Sequence, residues 1–360
     1  MIKKDNLHYN PNLRDSYNKQ INITISEREL GKSTEWAWKV WKKFLHNHRP
    51  SIILRRQQVD ITEAYIDSIG ATINQFLPDN KQIKLEYKRG AFKDGVVDVK
   101  VNKRDIFRVV ALSVPKGRLK SLVYEDPAYM IWDEMLIDTR GGEKWLPDEG
   151  NKFAECFTTF NRHAVKHGHQ MKVLVYGNPY TTYCPLFAWL DIDISLIKPG
   201  AFIVGDRYIL ECPQLSQELR DKILEVNPMY HFSDEYKRYA FGGEAVNDQN
   251  YEIHKDQPQG YTLKYIFRIA NKYLAIWHKP MNRDKPGYDC GKYWVSTMKT
   301  YNGSKKIYAV DFDNLINDTR LITTDIRAIM WRFKDAIANR DISYQTVECG
   351  YLIEAIYKSI

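Results

Sequence analysis

Two short stretches of this 360-residue chain carry side chains suited to a phosphorylated substrate. The first, Ser26-Glu27-Arg28-Glu29-Leu30-Gly31-Lys32-Ser33-Thr34, fits the phosphate-loop pattern G-x-x-x-x-G-K-[ST], except that serine stands where the first glycine belongs. Gly31 allows close backbone approach, Lys32 can reach β- and γ-phosphates, Ser33 can ligate magnesium, and a helix starting there turns its N-terminus toward the anion. The second, Tyr129-Met130-Ile131-Trp132-Asp133-Glu134, is four apolar residues ending in two carboxylates, roughly a hundred residues downstream. Asp133 at the strand end would hold magnesium through water or with the Ser33 hydroxyl, and Glu134 would polarise an attacking water as general base. The competing reading of that pair is a strand ending in solvated acids.

Two further candidates are weaker signals. Val173-Leu174-Val175-Tyr176-Gly177-Asn178-Pro179 ends an apolar run with an amide, Asn178, that could sense a γ-phosphate or hold the lytic water; an Asn-Pro turn explains it equally well. Arg162, in Phe160-Asn161-Arg162-His163, is a candidate arginine finger for a neighbouring subunit's site, or an exposed basic turn. His163, His167 and His169 have no carboxylates at ligand spacing, so no metal site is read there.

The elements that must position these residues follow from periodicity. Ile21–Ile25 alternates like a strand, and Ala37, Val40, Trp41, Phe44 and Leu45 recur at helical spacing, giving strand, loop, helix around the first motif. Ser51–Leu54 and Ala64–Phe76 repeat that unit. Residues 83–114 alternate and are broken by Gly90, Asp94-Gly95 and Asn102, which predicts an antiparallel insertion of three strands. Tyr129–Trp132 and Val173–Tyr176 suit buried parallel strands, so the front of the chain reads as a mainly parallel α/β sheet.

Composition sets wider bounds. With 44% hydrophobic and 13% aromatic residues the chain can bury a large core, and its length suits two domains. No run long enough to span a membrane and no secretory-type apolar stretch at Met1–Asp5 is present, which predicts a cytoplasmic setting without membrane partners. The five cysteines are scattered and read as reduced and structural. Net charge is +8, and Lys81–Lys120 alone holds twelve Lys and Arg against four Asp and Glu. That density suits a polyphosphate backbone, or the solvated face of a β-meander.

Taken in order, Asn10-Pro11, the arginine-bearing loop ending Gly31-Lys32-Ser33, Ile52–Arg56, Ala111–Val114, Trp132-Asp133-Glu134, Phe160–Arg162 and Asn178 resemble the DNA-packaging ATPases of small podophages, the phi-twenty-nine-like relatives of terminase large subunits. The resemblance extends weakly to Leu321-Ile322-Thr323 and the final segment Ile353–Ile360. It implies a P-loop ATPase domain of the additional-strand, catalytic-glutamate (ASCE, RecA-like) class, using ATP and Mg2+, joined to a C-terminal α+β domain shaped like a vestigial RNase H nuclease. It implies self-association into a pentameric ring, with double-stranded DNA, the procapsid portal and, in some members, a packaging RNA as partners. The setting it implies is the host cytoplasm, transiently at the portal vertex and not in the mature virion. Residue by residue, it implies nucleotide contact along the loop from Ser26 to Thr34, including Glu27, Arg28, Glu29 and Leu30. Asn10 and Pro11 fall near the adenine, Asp133 and Glu134 serve metal and catalysis, and Lys120 and Arg162 act at the subunit interface. Serine at 26 and glutamate at 29 depart from the glycines favoured in relatives, and the acids at 27 and 29 sit oddly beside phosphate.

The expected layout is an ATPase domain over 1–204, a polar linker over 205–260 and a C-terminal domain over 261–360. The strands expected beyond residue 204 are Tyr208–Cys212, Leu263–Ile269, Leu274–Trp277, Tyr293–Met298 and Ile307–Val310, with a helix over Thr324–Ala338. A two-metal nuclease needs carboxylates converging from strand ends, and only Asp311 with Asp313 forms a close pair near a strand, so a non-catalytic nucleic-acid- or portal-binding role is expected. DNA contact is expected through phosphates, with Lys81–Lys120 and Arg55-Arg56 as candidates. The rival readings are another P-loop helicase or translocase, and a non-enzymatic nucleic-acid-binding protein with a degenerate loop.

Overall fold

Four apolar runs of the sequence become central strands of one sheet, buried on both faces. The computed structural model describes residues 9–138, 143–146, 148–181, 183–227, 230, 232, 251–269, 272–280, 291–310, 315–316, 319–321, 336–337 and 339–359. In chain order the elements begin with helix α1 (Asn12–Ser16), strand β1 (Ile21–Ile25), α2 (Lys32–Asn47), β2 (Ser51–Arg55) and α3 (Glu63–Asn74). Strands β3 (Glu86–Tyr87), β4 (Val96–Val101) and β5 (Arg104–Ala111) follow, then α4 (Lys116–Ser121), β6 (Tyr129–Trp132), α5 (Glu149–Lys166) and β7 (Lys172–Gly177). Next come α6 (Pro185–Trp189), β8 (Phe202–Val204), β9 (Tyr208–Glu211) and α7 (Gln217–Val226). The remainder holds β10 (Thr262–Ile269), β11 (Lys272–Pro280), β12 (Gly291–Met298), β13 (Ile307–Ala309), β14 (Thr319–Leu321), β15 (Ile342–Tyr344) and α8 (Val347–Ser359).

The chain divides into two compact units: residues 1–181 with 196–246, and residues 182–195 with 247–360. The first is built on a nine-stranded sheet of order β3-β4-β5-β2-β6-β7-β1-β9-β8. Its six inner strands, β5 to β9 in that order, are all parallel, while β3-β4 at one margin and β8 at the other run antiparallel. The α/β class and the three-stranded antiparallel insertion expected from the alternation of residues 83–114 are both present. Apolar side chains on both faces of β2, β6 and β7, and the buried Asn22 and Thr24 opposite the isoleucines of β1, explain why a parallel sheet forms: each strand must be covered on two sides. Helix α2 buries Trp36, Ala37, Val40, Trp41 and Phe44 against it, whereas Leu45, expected on that stripe, is exposed. Residues 208–211, beyond the expected end of the ATPase domain at 204, form β9 and pair in parallel with β1.

The second unit carries a six-stranded sheet of order β14-β13-β10-β11-β12-β15. Strands β10, β11 and β12 form an antiparallel trio, and β13 then adds in parallel to β10 and β14 to β13. The sheet expected in the C-terminal region is present, with β15 added in parallel beside β12. Tyr183, from the stretch just after the first unit, stacks on Tyr351 of α8 at 5.2 Å. None of β10 to β13 carries a carboxylate; Asp311 and Asp313, the expected helix over most of 324–338, and Ile322-Thr323 lie outside the described residues. Among the described residues, Cys156, Cys184, Cys212 and Cys349 are buried, and no helix is long and apolar enough to cross a membrane.

Candidate phosphate site at the strand ends

Parallel strands deliver their C-terminal ends to one edge of the sheet, and the first unit gathers its polar residues there. β1 ends at Ile25 and releases the loop; β2 ends in Arg55-Arg56, β6 in Asp133-Glu134 and β7 in Gly177-Asn178. The Ser26 amide donates to the Gly177 carbonyl at 3.1 Å, stitching the loop's start to the end of β7. Gly31, at φ 92°, takes the left-handed turn that a side chain would resist and starts α2 directly at Lys32.

The Lys32 ammonium stands at the centre. It donates to the Ser26 carbonyl at 2.9 Å, the Ser26 hydroxyl at 2.9 Å, the Glu27 carbonyl at 2.7 Å and Asn178 Oδ1 at 2.9 Å. Asn178 is therefore a partner of the loop lysine and not merely an Asn-Pro turn. Ser26 fills the missing glycine's place with a hydroxyl that grips the same ammonium. Burial lowers Lys32 to about 8 against the opposing pull of Asp133, and a neighbouring Arg28 adds to the lowering. Burial likewise raises Asp133 to about 6, helped by the charge of Glu134 and opposed by Arg55 and Lys32. Asp133 and Glu134 both act on the charge of Lys32, and both line one cleft with its partner Asn178.

Glu134 sits in a left-handed backbone conformation, φ 59°, and its carboxylate pairs with Arg55 Nη2 at 2.8 Å. Arg55 also lies over the Tyr65 ring at 4.6 Å. Arg56 is buried between the Trp132 and Trp145 rings, donates to both Glu149 oxygens at 2.9 and 3.1 Å, and bonds the Met135 carbonyl. The expectation that Arg55-Arg56 faces DNA is corrected: both side chains belong to the phosphate edge, where they fix the segment that carries Glu134. Periodicity could not tell this, yet their place after the apolar run of β2, a neighbour of β6, was a usable signal. The cleft between these strand ends is lined by Arg55, Arg56, Asp60, Asp133, Glu134, Leu136, Glu143, Asn178 and Tyr180. Asp60, Glu143 and Tyr180 were not anticipated; Tyr180 accepts from Arg28 Nη2 at 2.7 Å.

Other candidates are placed less directly. Ser33 and Thr34 open α2, Ser33 exposed. Leu30 is buried in an apolar cluster with Leu215, Leu219, Ile223 and Tyr230, against which Tyr9 packs. The Tyr9 amide donates to the Leu30 carbonyl at 3.0 Å, so Asn10 and Pro11 adjoin the loop; Asn10 Oδ1 caps the Asn12 amide. Behind them the fully buried Arg14 bonds Thr24 Oγ1 at 2.7 Å and Glu35 at 3.0 Å, anchoring α1 to β1 and α2. The side chains of Glu27 and Glu29 correct the reading that they face the nucleotide. Glu27 accepts from the Leu215 amide and Arg220, and Glu29 accepts from the Tyr230 hydroxyl. Arg162 is exposed near the C-terminal end of α5, next to Asn161, whose side chain receives the Met171 amide ahead of β7; that is the opposite edge of the sheet. Lys120 pairs with Glu155 at 3.4 Å. Neither lines its own chain's cleft.

The donor set fits magnesium bound with a triphosphate. Asp133 and Ser33 carry hard oxygen donors, and among the described residues no group of three or more His, Cys, Asp or Glu could hold an ion unaided. Mg2+ suits such a place, because it is commonly held by one or two carboxylates plus substrate phosphates.

No family model matches the sequence, and no curated protein resembles it in sequence. Solved structures do match in fold. The bacteriophage Phi-29 viral genome packaging motor assembly is 17% identical with a TM-score of 0.66, over 98% of this chain and 99% of that one. The Phi-28 gp11 DNA packaging motor is 15% identical with a TM-score of 0.64, over 98% of each chain. At these identities the likeness is one of fold, and it spans both units.

Proposed function

We propose that this chain, whose fold is that of viral packaging motors, is the ATPase that drives double-stranded DNA into a procapsid. The observation that carries this reading is the gathering of Lys32, Asn178, Asp133 and Glu134 at one sheet edge within a fold shared end to end with those motors. A triphosphate would displace the loop carbonyls from the Lys32 ammonium, which then spans β- and γ-phosphates while the loop and α2 amides take their oxygens. Asp133 and Ser33 would hold Mg2+, which supplies charge neutralisation at the phosphate oxygens. Glu134 would accept the proton of the attacking water, and Asn178 would orient that water or the γ-phosphate. Reaching this state requires Glu134 to leave or share Arg55.

The finer assignments extend the same reading. The chain works as a ring, in which Arg162 or Lys120 of one subunit approaches the phosphates held by the next. The exposed bases of the β3–β5 margin, among them Lys88, Lys100 and Lys103, contact phosphates without reading bases. The second unit, lacking acids on β10 to β13, binds nucleic acid or the portal and does not cut. The motor acts in the host cytoplasm at the procapsid.

ATP hydrolysis measured with and without linear double-stranded DNA tests the proposal. DNA should stimulate turnover, and Glu134→Gln should bind ATP yet hydrolyse it about 100-fold or more slowly. Wild-type turnover by that variant would refute the assigned base, and strand separation in a displacement assay would favour a helicase.

A further inference from the structure

The acids of the phosphate loop have no role in the chemistry above, yet one of them is fully buried. Glu27 is 0% exposed, although it has a carboxyl side chain and its backbone carbonyl belongs to the Lys32 cradle. An unpaired carboxylate there would be strongly unfavourable, so its partners define its function. One oxygen accepts from the Leu215 amide at 2.7 Å and the other from Arg220 Nη2 at 2.7 Å. Both partners come from one element: Leu215 lies just before α7 and Arg220 lies within it, behind the Ser216 cap, whose hydroxyl accepts from the Leu219 amide. Two further ties run the same way. Glu29, in a left-handed conformation at φ 61°, accepts from the Tyr230 hydroxyl at 3.0 Å, and Leu30 packs on Leu215, Leu219 and Ile223. Three positions of the loop, 27, 29 and 30, are thus held by α7, by Leu215 just before it and by Tyr230 shortly after it.

We propose that α7 is a working part of the phosphate site, with Glu27 and Arg220 as positioning residues for Lys32. The link is short. The Glu27 carbonyl is the closest of the four acceptors of the Lys32 ammonium, so fixing the Glu27 side chain fixes the peptide that aims the lysine. Glycines normally let such a loop wrap a phosphate; here side chains anchored outside the loop hold a conformation that is left-handed at Glu29, where a side chain resists it. By reciprocity, a ligand that favours this loop conformation favours the docked α7 by the same factor.

The proposal rests on the ATP-site reading, and the experiment separates the two. MgATP affinity, KM and kcat are measured for the full-length wild type and for Arg220→Ala, Arg220→Lys, Glu27→Gln and Lys32→Ala. Arg220→Ala should weaken MgATP about tenfold, the loss falling on Kd and KM with little change in kcat at saturation, and Arg220→Lys should restore most of it. Glu27→Gln in the Arg220→Ala background should add little, because both changes remove one interaction. In the wild type, MgATP should slow hydrogen exchange of the α7 amides from Leu219 to Asn227, and this readout holds even where a variant folds poorly. Wild-type affinity in Arg220→Ala while Lys32→Ala loses binding would overturn the clamp and spare the ATP site; so would α7 exchange indifferent to MgATP. Undiminished binding in Lys32→Ala would overturn the ATP-site reading and the clamp with it.

Discussion

At Lys32 and Asp133 burial acts on opposite charges. It drives the lysine down to about 8 and the aspartate up to about 6, so between these values both carry the charge that a metal-bound triphosphate needs. Below about 6 Asp133 takes up a proton and loses its hold on the metal; above about 8 the free protein's Lys32 gives one up. We therefore expect kcat/KM for ATP to rise through about pH 6 and fall through about pH 8, read from initial rates across pH, and Asp133→Asn to lose activity throughout. A flat profile over that range would contradict both assignments. Identity and spacing alone nominated these residues, together with Asn178. Arg55 and Arg56 were nominated for DNA contact and not for this site: their place at the end of an apolar run was a hint, but nothing local says that β2 lies beside β6.

At the scale of elements, two buried groups report on how the edge is held. Arg56 ties the end of β2 to the start of α5 through Glu149 and to the segment after β6 through the Met135 carbonyl. Removing one partner of such a buried pair strands the other's charge, so Arg56→Ala should cost about 3 kcal/mol or more, measured as a lowered denaturation midpoint. Replacing the pair together should cost less. Glu211 closes β9 beside Thr24 of β1, 7% exposed, with one oxygen lacking a partner, and burial alone raises it to about 7 from 4.5. The folded chain thus keeps a proton that the unfolded chain has already released above pH 4.5. Stability should fall as pH rises from about 4.5 to about 7 and level off beyond, by on the order of 3 kcal/mol, and Glu211→Gln should remove that slope. An unchanged slope in the variant would show that Glu211 ionises freely.

At the scale of the whole molecule, Arg162 and Lys120, both proposed to act on a neighbouring subunit's phosphates, do not line their own chain's cleft. Arg162→Ala and Lys32→Ala should each lose most ATP turnover, and mixing the two proteins should recover part of it, since the proposed ring would then contain interfaces with both groups intact. Mixtures no more active than the sum of their parts would remove Arg162 from the chemistry. The second unit gives a separate expectation: plasmid incubated with the protein and Mg2+ or Mn2+ should stay supercoiled, because β10 to β13 bring no carboxylates to a two-metal site.

The sequence by itself determined the central strands of both sheets, though not those at 202–204, 319–321 and 342–344, the helix that follows the loop, and the order of Lys32, Asp133 and Asn178 along the chain. Apolar periodicity and short motifs are local, and those residues lie within or just beyond the elements that carry them. Only the tertiary structure decided that β9 completes the first sheet beside β1, that Arg55 meets Glu134, and that Glu27 and Glu29 turn to α7 and Tyr230 and not to phosphate. Each of those facts depends on which strand ends and helices become neighbours across gaps of tens to hundreds of residues. Side-chain charge and spacing do not encode that proximity; it emerges when the parallel strands align their ends and burial obliges every charge to find a partner.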